Sequence, residues 1–547
     1  MYTRTVPSHR PADRLCLCSC PGQQYTQKRC VSPDVVCSAT PTCRRLGNFR
    51  LRAESQSASS IGGKAPPPEA VLKPPGTDVE QISVVMKFGG SSVADAARML
   101  EVADIICSFP EHRPCVVLSA MGKTTNLLLQ AGNDALSTDP QDIHALAPLR
   151  AIQEGHRQAA TTIQADDRTL KQVERLLAEL QQLLVGISIM QELTLRAQDS
   201  LVSFGERLST RLFAALLNNK GVAAKQYDAF DMGVTTTDVF GAADVLYERT
   251  LPAVHAALTL APAGQPHVPV VTGFLGRGVN TGAITTLGRG GSDLTATVIA
   301  AALGVAEAQV WKDVDGVLTS DPRIVTSARP VPLLTYEEAT ELAFFGATVL
   351  HPLAMQPALQ SDALAVRVMN SYNRHAPGTL IARQRDMSNA TMTSIVLKSG
   401  VTLMDVVSTR MLGQFGFLAT VFNVFRDNQI SVDVVATSEI SISLTLDPSK
   451  VWTRGLIDEE LDALVTAFEG IARCSYQRGM SIISLICNIQ RTSLILERVF
   501  RVLGREGINV KMMSQGASKT NISLIVDESQ GRHAVQCLHS EFFDAQC

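Results

Sequence analysis

The stretch from Thr285 to Arg323, TTLGRGGSDLTATVIAAALGVAEAQVWKDVDGVLTSDPR, constrains this chain more than any other. A short β-type run, 283–287, breaks at Gly288-Arg289-Gly290-Gly291. Leu294, Val298, Ile299 and Ala302 then recur at helical spacing, which predicts a helix over 292–303 with Ser292 as cap and Gly304 as stop. A strand, a glycine turn and a helix start make an anion site together, because bare amides and the positive end of the helix dipole converge on one spot. Arg289 adds a planar fork suited to a carboxylate or phosphate, and Asp293 in the first turn can orient a cation. A glycine turn alone is as readily a tight connection between packed elements. Here it has a partner: ISVVMKFGGSS, from Ile82 to Ser92, repeats the pattern with Lys87 at the strand end and Ser92 as helix cap. A lysine before a glycine turn and a helix start reads as a phosphate partner rather than a solvated end charge.

Strand and helix patterns alternate from Ile82 to about Arg383, with strands at 82–87, 115–119, 222–226, 268–274, 283–287, 308–311 and 364–369, and helices at 93–108, 292–303 and 335–345. That alternation predicts an α/β fold, a mainly parallel sheet with helices on both faces. Between Asn126 and Ser200 lies a long helical insertion that either packs on the sheet edge or also lids a substrate. Ser203-Phe204-Gly205-Glu206 reads as a helix start, where Glu206 balances the dipole or binds a cation. Gly122-Lys123-Thr124 is no Walker loop, since Val117 stands where its first glycine belongs.

Residues 1–52 carry eight arginines against two acids, Asp13 and Asp34, and predict an organelle transit peptide. Cys16, Cys18 and Cys20 lack the further ligands of a metal site there. Residues 53–81 are Ser/Pro/Gly-rich and predict a flexible linker. A net charge of −3 argues against a nucleic-acid partner. No apolar run reaches the roughly 18 residues of a membrane span.

The remainder contains an internal repeat. VFNVFRDNQISVDVVATSE (421–439) aligns with VFRVLGREGINVKMMSQGA (499–517) at a constant shift of 78 residues. Each copy reads helix, strand, strand, and resembles an ACT domain, a ferredoxin-like α+β module that binds amino acids.

KFGGSS, SFGERLS (203–209), TTLGRGGSD, WKDVDGVLTSDPR and FGATVLHP (345–352), in this order, resemble aspartate kinase of the amino-acid kinase family, most of all its monofunctional lysine-sensitive form in plants and algae. The resemblance implies an amino-acid kinase fold over 82–383, then ACT units at 392–475 and 476–547, with the second able to nest inside the first. It implies transfer of phosphate from ATP with Mg2+ to the side-chain carboxylate of L-aspartate, the first step towards lysine, threonine, methionine and isoleucine. Lys87 would neutralise the moving phosphoryl group, and Gly89, Gly90, Ser92, Gly290, Gly291 and Ser292 would cradle the phosphates. Lys312, Asp313, Leu318 and Arg323 match the nucleotide-binding stretch, with Lys312 and Leu318 where many relatives have a hydroxyl and an aromatic. Arg289 would grip the aspartate α-carboxylate, Glu206 and Thr125 its ammonium, and Asp293 would orient Lys87 or that ammonium. No protein metal cage is expected.

The resemblance also implies feedback by L-lysine at Met411, Gln414, Phe417, Leu418, Asp433, Thr437, Ser438 and Glu439. The repeat agrees in sign: Asp433 and Glu439 of the first copy face Lys511 and Ala517 of the second, so a cationic amino acid suits only the first. S-adenosylmethionine as co-effector, a homo-oligomer through the ACT units and a chloroplast stroma address complete the expectation. The competing reading is a catalytically weak regulatory subunit, which would be expected to have lost Lys87, Arg289 or Asp293. A fluorescent fusion of residues 1–80 is expected to enter the plastid; cytosolic retention would overturn the transit reading.

Overall fold

The computed structural model describes residues 81–259, 266–346, 350–361, 364–386, 391–408, 416–438, 440–446, 458–516 and 518–544. The expected transit segment lies outside them, as does the linker up to residue 80. Eleven described strands precede residue 383: β1 (Val84–Phe88), β2 (Pro114–Leu118), β3 (Ala224–Tyr227), β4 (Thr235–Thr236), β5 (Val268–Thr272), β6 (Leu275–Gly278), β7 (Ile284–Thr286), β8 (Glu307–Lys312), β9 (Leu333–Thr335), β10 (Ala365–Asn370) and β11 (Thr379–Ala382). Eight form one sheet in the order β3-β5-β2-β1-β8-β10-β11-β9, parallel except where β10 meets β11. β1, β2 and β5 are buried at every position, which is why they read as unbroken apolar runs.

The pleat of β1 positions the site. Val84, Met86 and Phe88 enter the core layer that also holds the helices Ala96–Cys107, Asp167–Met190 and Leu195–Asn219. Val85 enters the opposite layer, with the helix Gly291–Leu303. Lys87 shares the face of Val85 and so points towards that helix. The long helical insertion therefore packs on the other face of the sheet from Lys87, within a shared core.

Four local expectations are corrected. The run 283–287 does not join the main sheet: β7 pairs antiparallel with β6 in a three-stranded sheet, β4-β6-β7. The link between β6 and β7 is far too short for a parallel crossover, so a hairpin is forced. The helix Ala96–Cys107 is capped by Asp95, whose carboxylate accepts from Arg98 N at 2.9 Å, and not by Ser92. The helix Gly291–Leu303 starts after Gly290, in the left-handed region with φ 71°, and has no side-chain cap, so Ser292 lies inside its first turn. Finally, Glu206 lies in the middle of the helix Leu195–Asn219, which Thr194 caps, so it cannot balance the dipole at a helix start. Gly205 suggested a break there, but its role is close packing: a Cβ on it would lie 2.6 Å from Ala120 Cβ.

The repeat forms one six-stranded antiparallel sheet: β12 (Met392–Val407), β13 (Val432–Thr437), β14 (Ser441–Leu446), β15 (Arg473–Cys487), β16 (Met512–Gln515) and β17 (Asn521–Asp527), ordered β13-β14-β12-β15-β17-β16. Exchanging the two copies maps this order onto itself. Phe417, Val421 and Phe425 of the first copy's helix are buried at the positions that Ile495, Val499 and Leu503 fill in the second. β12 and β15 run side by side from Met392↔Cys487 to Val407↔Arg473. One end of each packs in the first copy's core and the other in the second's.

β12 also stitches the regulatory half to the kinase half. Ser394 Oγ donates to Leu318 O at 2.9 Å, and Ile395 N to Thr319 O at 2.8 Å. Nearby, Thr335 and Glu338 form a capping box on the helix Tyr336–Phe344. The buried Glu338 carboxylate also holds Arg385 at 2.5 Å and accepts from Thr393 Oγ1 at 2.8 Å. Removing one partner of such a buried pair strands the other charge. Arg385→Met is expected to cost about 3–5 kcal/mol of unfolding free energy in urea titrations. Arg426→Met, breaking the exposed pair with Asp427, is expected to stay within about 0.5 kcal/mol. Equal effects would remove Glu338 as the reason.

Candidate active site

A cavity of about 420 Å³ opens where the tips of β1 and β2, the start of Gly291–Leu303 and the middle of Leu195–Asn219 meet. Of the expected residues it brings together Lys87, Gly90, Thr125, Glu206, Arg289, Gly290, Gly291, Ser292 and Asp293. At its floor Asp293 pairs with Lys87 at 2.5 Å and with Lys312, the last residue of β8, at 3.5 Å. Burial works to raise the Asp293 carboxyl, but the two ammonium groups outweigh it and hold it below the usual carboxylate range. Burial likewise lowers the Lys312 ammonium, against the pull of Asp293. Lys87 is only 7% exposed, so it is no solvated strand tip. Its removal would also strand the buried Asp293, and stability must be measured alongside turnover in any Lys87 variant.

Glu206 reaches the cavity from the helix. Its Oε1 accepts from Ala120 N at 3.1 Å, while its buried Oε2 has no hydrogen-bond partner among the described residues. Burial pushes the carboxyl up to about 8. A buried orphan acceptor lining a cavity suits a ligand ammonium, which would both satisfy Oε2 and favour the charged form. Arg289 lines the same cavity, exposed and without an ion-pair partner among the described residues.

The remaining expected residues do not line this cavity. Gly89 packs against Lys87, with a Cβ on it 3.7 Å from Nζ. Ser92 is fully buried, its Oγ 2.9 Å from Ser371 Oγ, which in turn donates to Lys312 O at 2.9 Å. The amide of Gly291 closes the turn on Gly288 O at 3.1 Å. Asp313, Leu318 and Arg323 are not among the lining residues. Arg323 is an exposed side chain paired with Asp321 at 2.6 Å.

Three contributors are not among the expected site residues, though His351 lies in the FGATVLHP stretch. Asp199, buried two helical turns before Glu206, accepts from Gly241 N at 3.0 Å, Thr286 N at 3.0 Å and Thr286 Oγ1 at 2.8 Å, and so fixes β7 just ahead of the glycine turn. Phe274 lines the cavity with φ 70°, a strained value for a bulky residue. His351 sits against the turn so closely that a Cβ on Gly290 would lie 2.2 Å from its own. Burial lowers the His351 imidazole, with Asp293 opposing.

The fold and this cavity define a small-molecule kinase. The model of the amino acid kinase family matches residues 83–370, and that of the ACT domain matches 404–453 and 483–542. The chain is 58% identical over 468 residues to aspartokinase 1, chloroplastic, of Arabidopsis thaliana, covering 86% of this chain and 81% of that one. Two solved structures of aspartokinase III from E. coli share its fold at 35% identity. The complex with lysine and aspartate (T-state) has a TM-score of 0.70 over 85% of this chain and 100% of that one. The complex with aspartate and ADP (R-state) has a TM-score of 0.69 over 84% and 100%. This chain belongs to the amino acid kinase family, among the aspartokinases.

Glu206 makes the site sensitive to pH. Its raised carboxyl is neutral in the empty site at pH 7 and ionises near pH 8. The stability tied to its proton is full below the ordinary carboxyl range and gone once pH passes about 8. An ammonium ligand needs the ionised form, so kcat/KM for aspartate is expected to climb with pH up to about 8. Glu206→Gln is expected to flatten that limb; an unchanged limb in the variant would assign it to another group.

Proposed function

We infer that this chain transfers the γ-phosphoryl group of ATP to the side-chain carboxylate of L-aspartate, giving 4-phospho-L-aspartate and ADP. The observation that carries it is one cavity lined by a guanidinium and a buried carboxylate oxygen, both without partners among the described residues, and by Lys87, which shares Asp293 with Lys312. Arg289 grips the substrate α-carboxylate in two parallel hydrogen bonds. Glu206 takes the ammonium on Oε2, and Thr125 assists. The side chain of aspartate then points towards Lys87, which neutralises charge as the phosphoryl group moves between two anions. Asp293 sets the direction of Lys87, and the Gly89-Gly90 and Gly290-Gly291 turns with Ser92 and Ser292 border the phosphates. Lys312, Asp313, Leu318 and Arg323 form the nucleotide side. Among the described residues, Glu206 and Asp293 are the only carboxylates lining the cavity, and Asp293 is already shared by two lysines. Magnesium would therefore come with the nucleotide, where it offsets phosphate charge. The relatives named as chloroplastic and the Arg-rich start support a plastid stroma address. The same reading divides the chain into a kinase unit, 82–383, and ACT units at 392–475 and 476–547 that share β12 and β15.

A coupled assay for ADP release tests the activity; wild type is expected to turn over L-aspartate and not L-glutamate. Arg289→Lys keeps the charge and loses the fork. It is expected to raise KM for aspartate by at least about tenfold, the scale of one charge-assisted hydrogen bond, and KM for ATP far less. An equal rise in both would move Arg289 to the phosphates.

Regulation by L-lysine follows from Asp433. Met411, Gln414 and Glu439 lie outside the described residues. Phe417 is buried in the first copy's core, whereas Leu418, Thr437 and Ser438 are exposed. Asp433 lines a second cavity, of about 410 Å³, against Phe344 and Phe345 at the end of the kinase helix. There it pairs with Lys398 of β12 at 2.6 Å, and both side chains are nearly buried. A lysine ammonium already stands on Asp433, so the effector competes with a tethered copy of its own head group. Lys398→Met is expected to lower the L-lysine concentration for half-inhibition, and Asp433→Ala to raise it at least about tenfold. A Lys398→Met variant that needs more lysine than wild type would refute the competition.

A further inference from the structure

The surface between the helices Thr492–Arg505 and Glu528–His539 holds three side chains that phosphoryl transfer does not use. Glu506 follows the first helix as its C-cap. His533 and Cys537 stand one turn apart on the second, so their side chains share a face. His533 Nε2 lies 3.2 Å from Glu506 Oε2 and 3.7 Å from Cys537 Sγ. One donor atom from each residue falls within 4.8 Å of the other two.

The two separations at His533 match two edges of a metal tetrahedron. Bond lengths of about 2.0–2.1 Å to nitrogen and oxygen and about 2.3 Å to sulfur put neighbouring vertices about 3.3 Å (N to O) and about 3.6 Å (N to S) apart. The donor set is mixed: a thiol, an imidazole and a carboxylate. That mixture suits a borderline divalent ion and not the oxygen-seeking magnesium or calcium. The second carboxylate oxygen, Glu506 Oε1, accepts from Arg505 Nε at 2.9 Å, which leaves Oε2 aimed at the histidine. Ligating carboxylates are commonly held by an outer hydrogen bond in this way. The His533 side chain is 57% exposed, so an ion has access from solvent and a fourth position is open to water.

We propose that Glu506, His533 and Cys537 form a three-ligand site for a divalent cation of the zinc class. Cys537 releases its thiol proton to solvent as the sulfur–metal bond forms, and water completes the tetrahedron. The ion ties the end of one helix to the middle of the other. The second helix also touches the kinase half: Gln536 Nε2 donates to Ile324 O at 2.8 Å, and His539 Nε2 lies 3.0 Å from Thr319 Oγ1. A metal clamp would therefore stiffen the element that rests against 319–324. The proposal does not depend on the assignment of the catalytic cavity.

Cobalt(II) is the spectroscopic probe, added to the metal-free full chain of wild type, Cys537→Ser and His533→Gln. The amino-terminal cysteines are common to all three, so differences report this site alone. Wild type is expected to bind one more equivalent than Cys537→Ser and to show a thiolate-to-cobalt charge-transfer band that Cys537→Ser lacks. Zinc competition against a chromophoric chelator is expected to show at least about tenfold weaker binding in His533→Gln, the least that losing even an outer partner costs. Zinc is also expected to raise the thermal midpoint of wild type and not of either variant. Both substitutions fall on partly exposed side chains, and far-UV circular dichroism verifies folding. Equal stoichiometry and equal bands in wild type and Cys537→Ser would overturn the proposal, since the trio would then be only a hydrogen-bonded surface cluster.

Discussion

The buried charge balance on Asp293 is the interaction on which the catalytic half depends. A carboxylate taken out of water on both sides is tolerated only if paired, and here two lysines pair it. They come from neighbouring parallel strands, β1 and β8, while the carboxylate comes from the helix that packs over both. The positive end of that helix adds to the attraction. The cluster therefore sets the height of the helix above the sheet, and with it the position of the glycine turn that precedes it. Neutralising Asp293 would leave two ammonium groups facing each other in the same small space.

Much of this was legible because parallel strands and glycine turns leave strong local signals. The runs containing Val84–Phe88 and Glu307–Lys312 read as buried strands, and the turn and helix after Ile284–Thr286 fell almost where they were expected. Lys87, Glu206, Arg289 and Asp293, drawn from a stretch of about 200 residues, line one cavity. What the chain order hid was set by tertiary packing. Glu206 sits in mid-helix because Gly205 lets the helix approach Ala120, a contact invisible from neighbours in sequence. Asp199 looked like any polar residue on a helix, and only the fold shows that it holds Thr286. Ser92 and Ser292 had the chemistry of caps, yet Asp95 and a left-handed Gly290 took those positions. Burial of Lys87 could not be read from its place near a strand end.

The regulatory half meets the kinase half through apolar residues, Val325 and Phe345 among them, and through polar contacts both buried and exposed. Glu338 and Glu341, one turn apart on the helix Tyr336–Phe344, bind Arg385 and Asn521. That helix ends in Phe344 and Phe345, and the Lys398 ammonium lies 5.7 Å and 5.9 Å from their rings. That short helix thus lines the cavity that holds Asp433, with Thr340 and Glu341 beside the two rings. Farther along the chain, His351 lies against Gly290 of the glycine turn.

The long strands β12 and β15 carry a last consequence. Each lends one end to the core of the first repeat and the other end to the core of the second. Neither repeat could be excised, swapped for a relative's or shed by a protease without tearing a strand out of its twin. The pair must then melt and refold as one body, and would show a single calorimetric transition. A lesion in either copy is felt as instability in both. Changes in the first repeat are in this way bound to the mechanical integrity of the second.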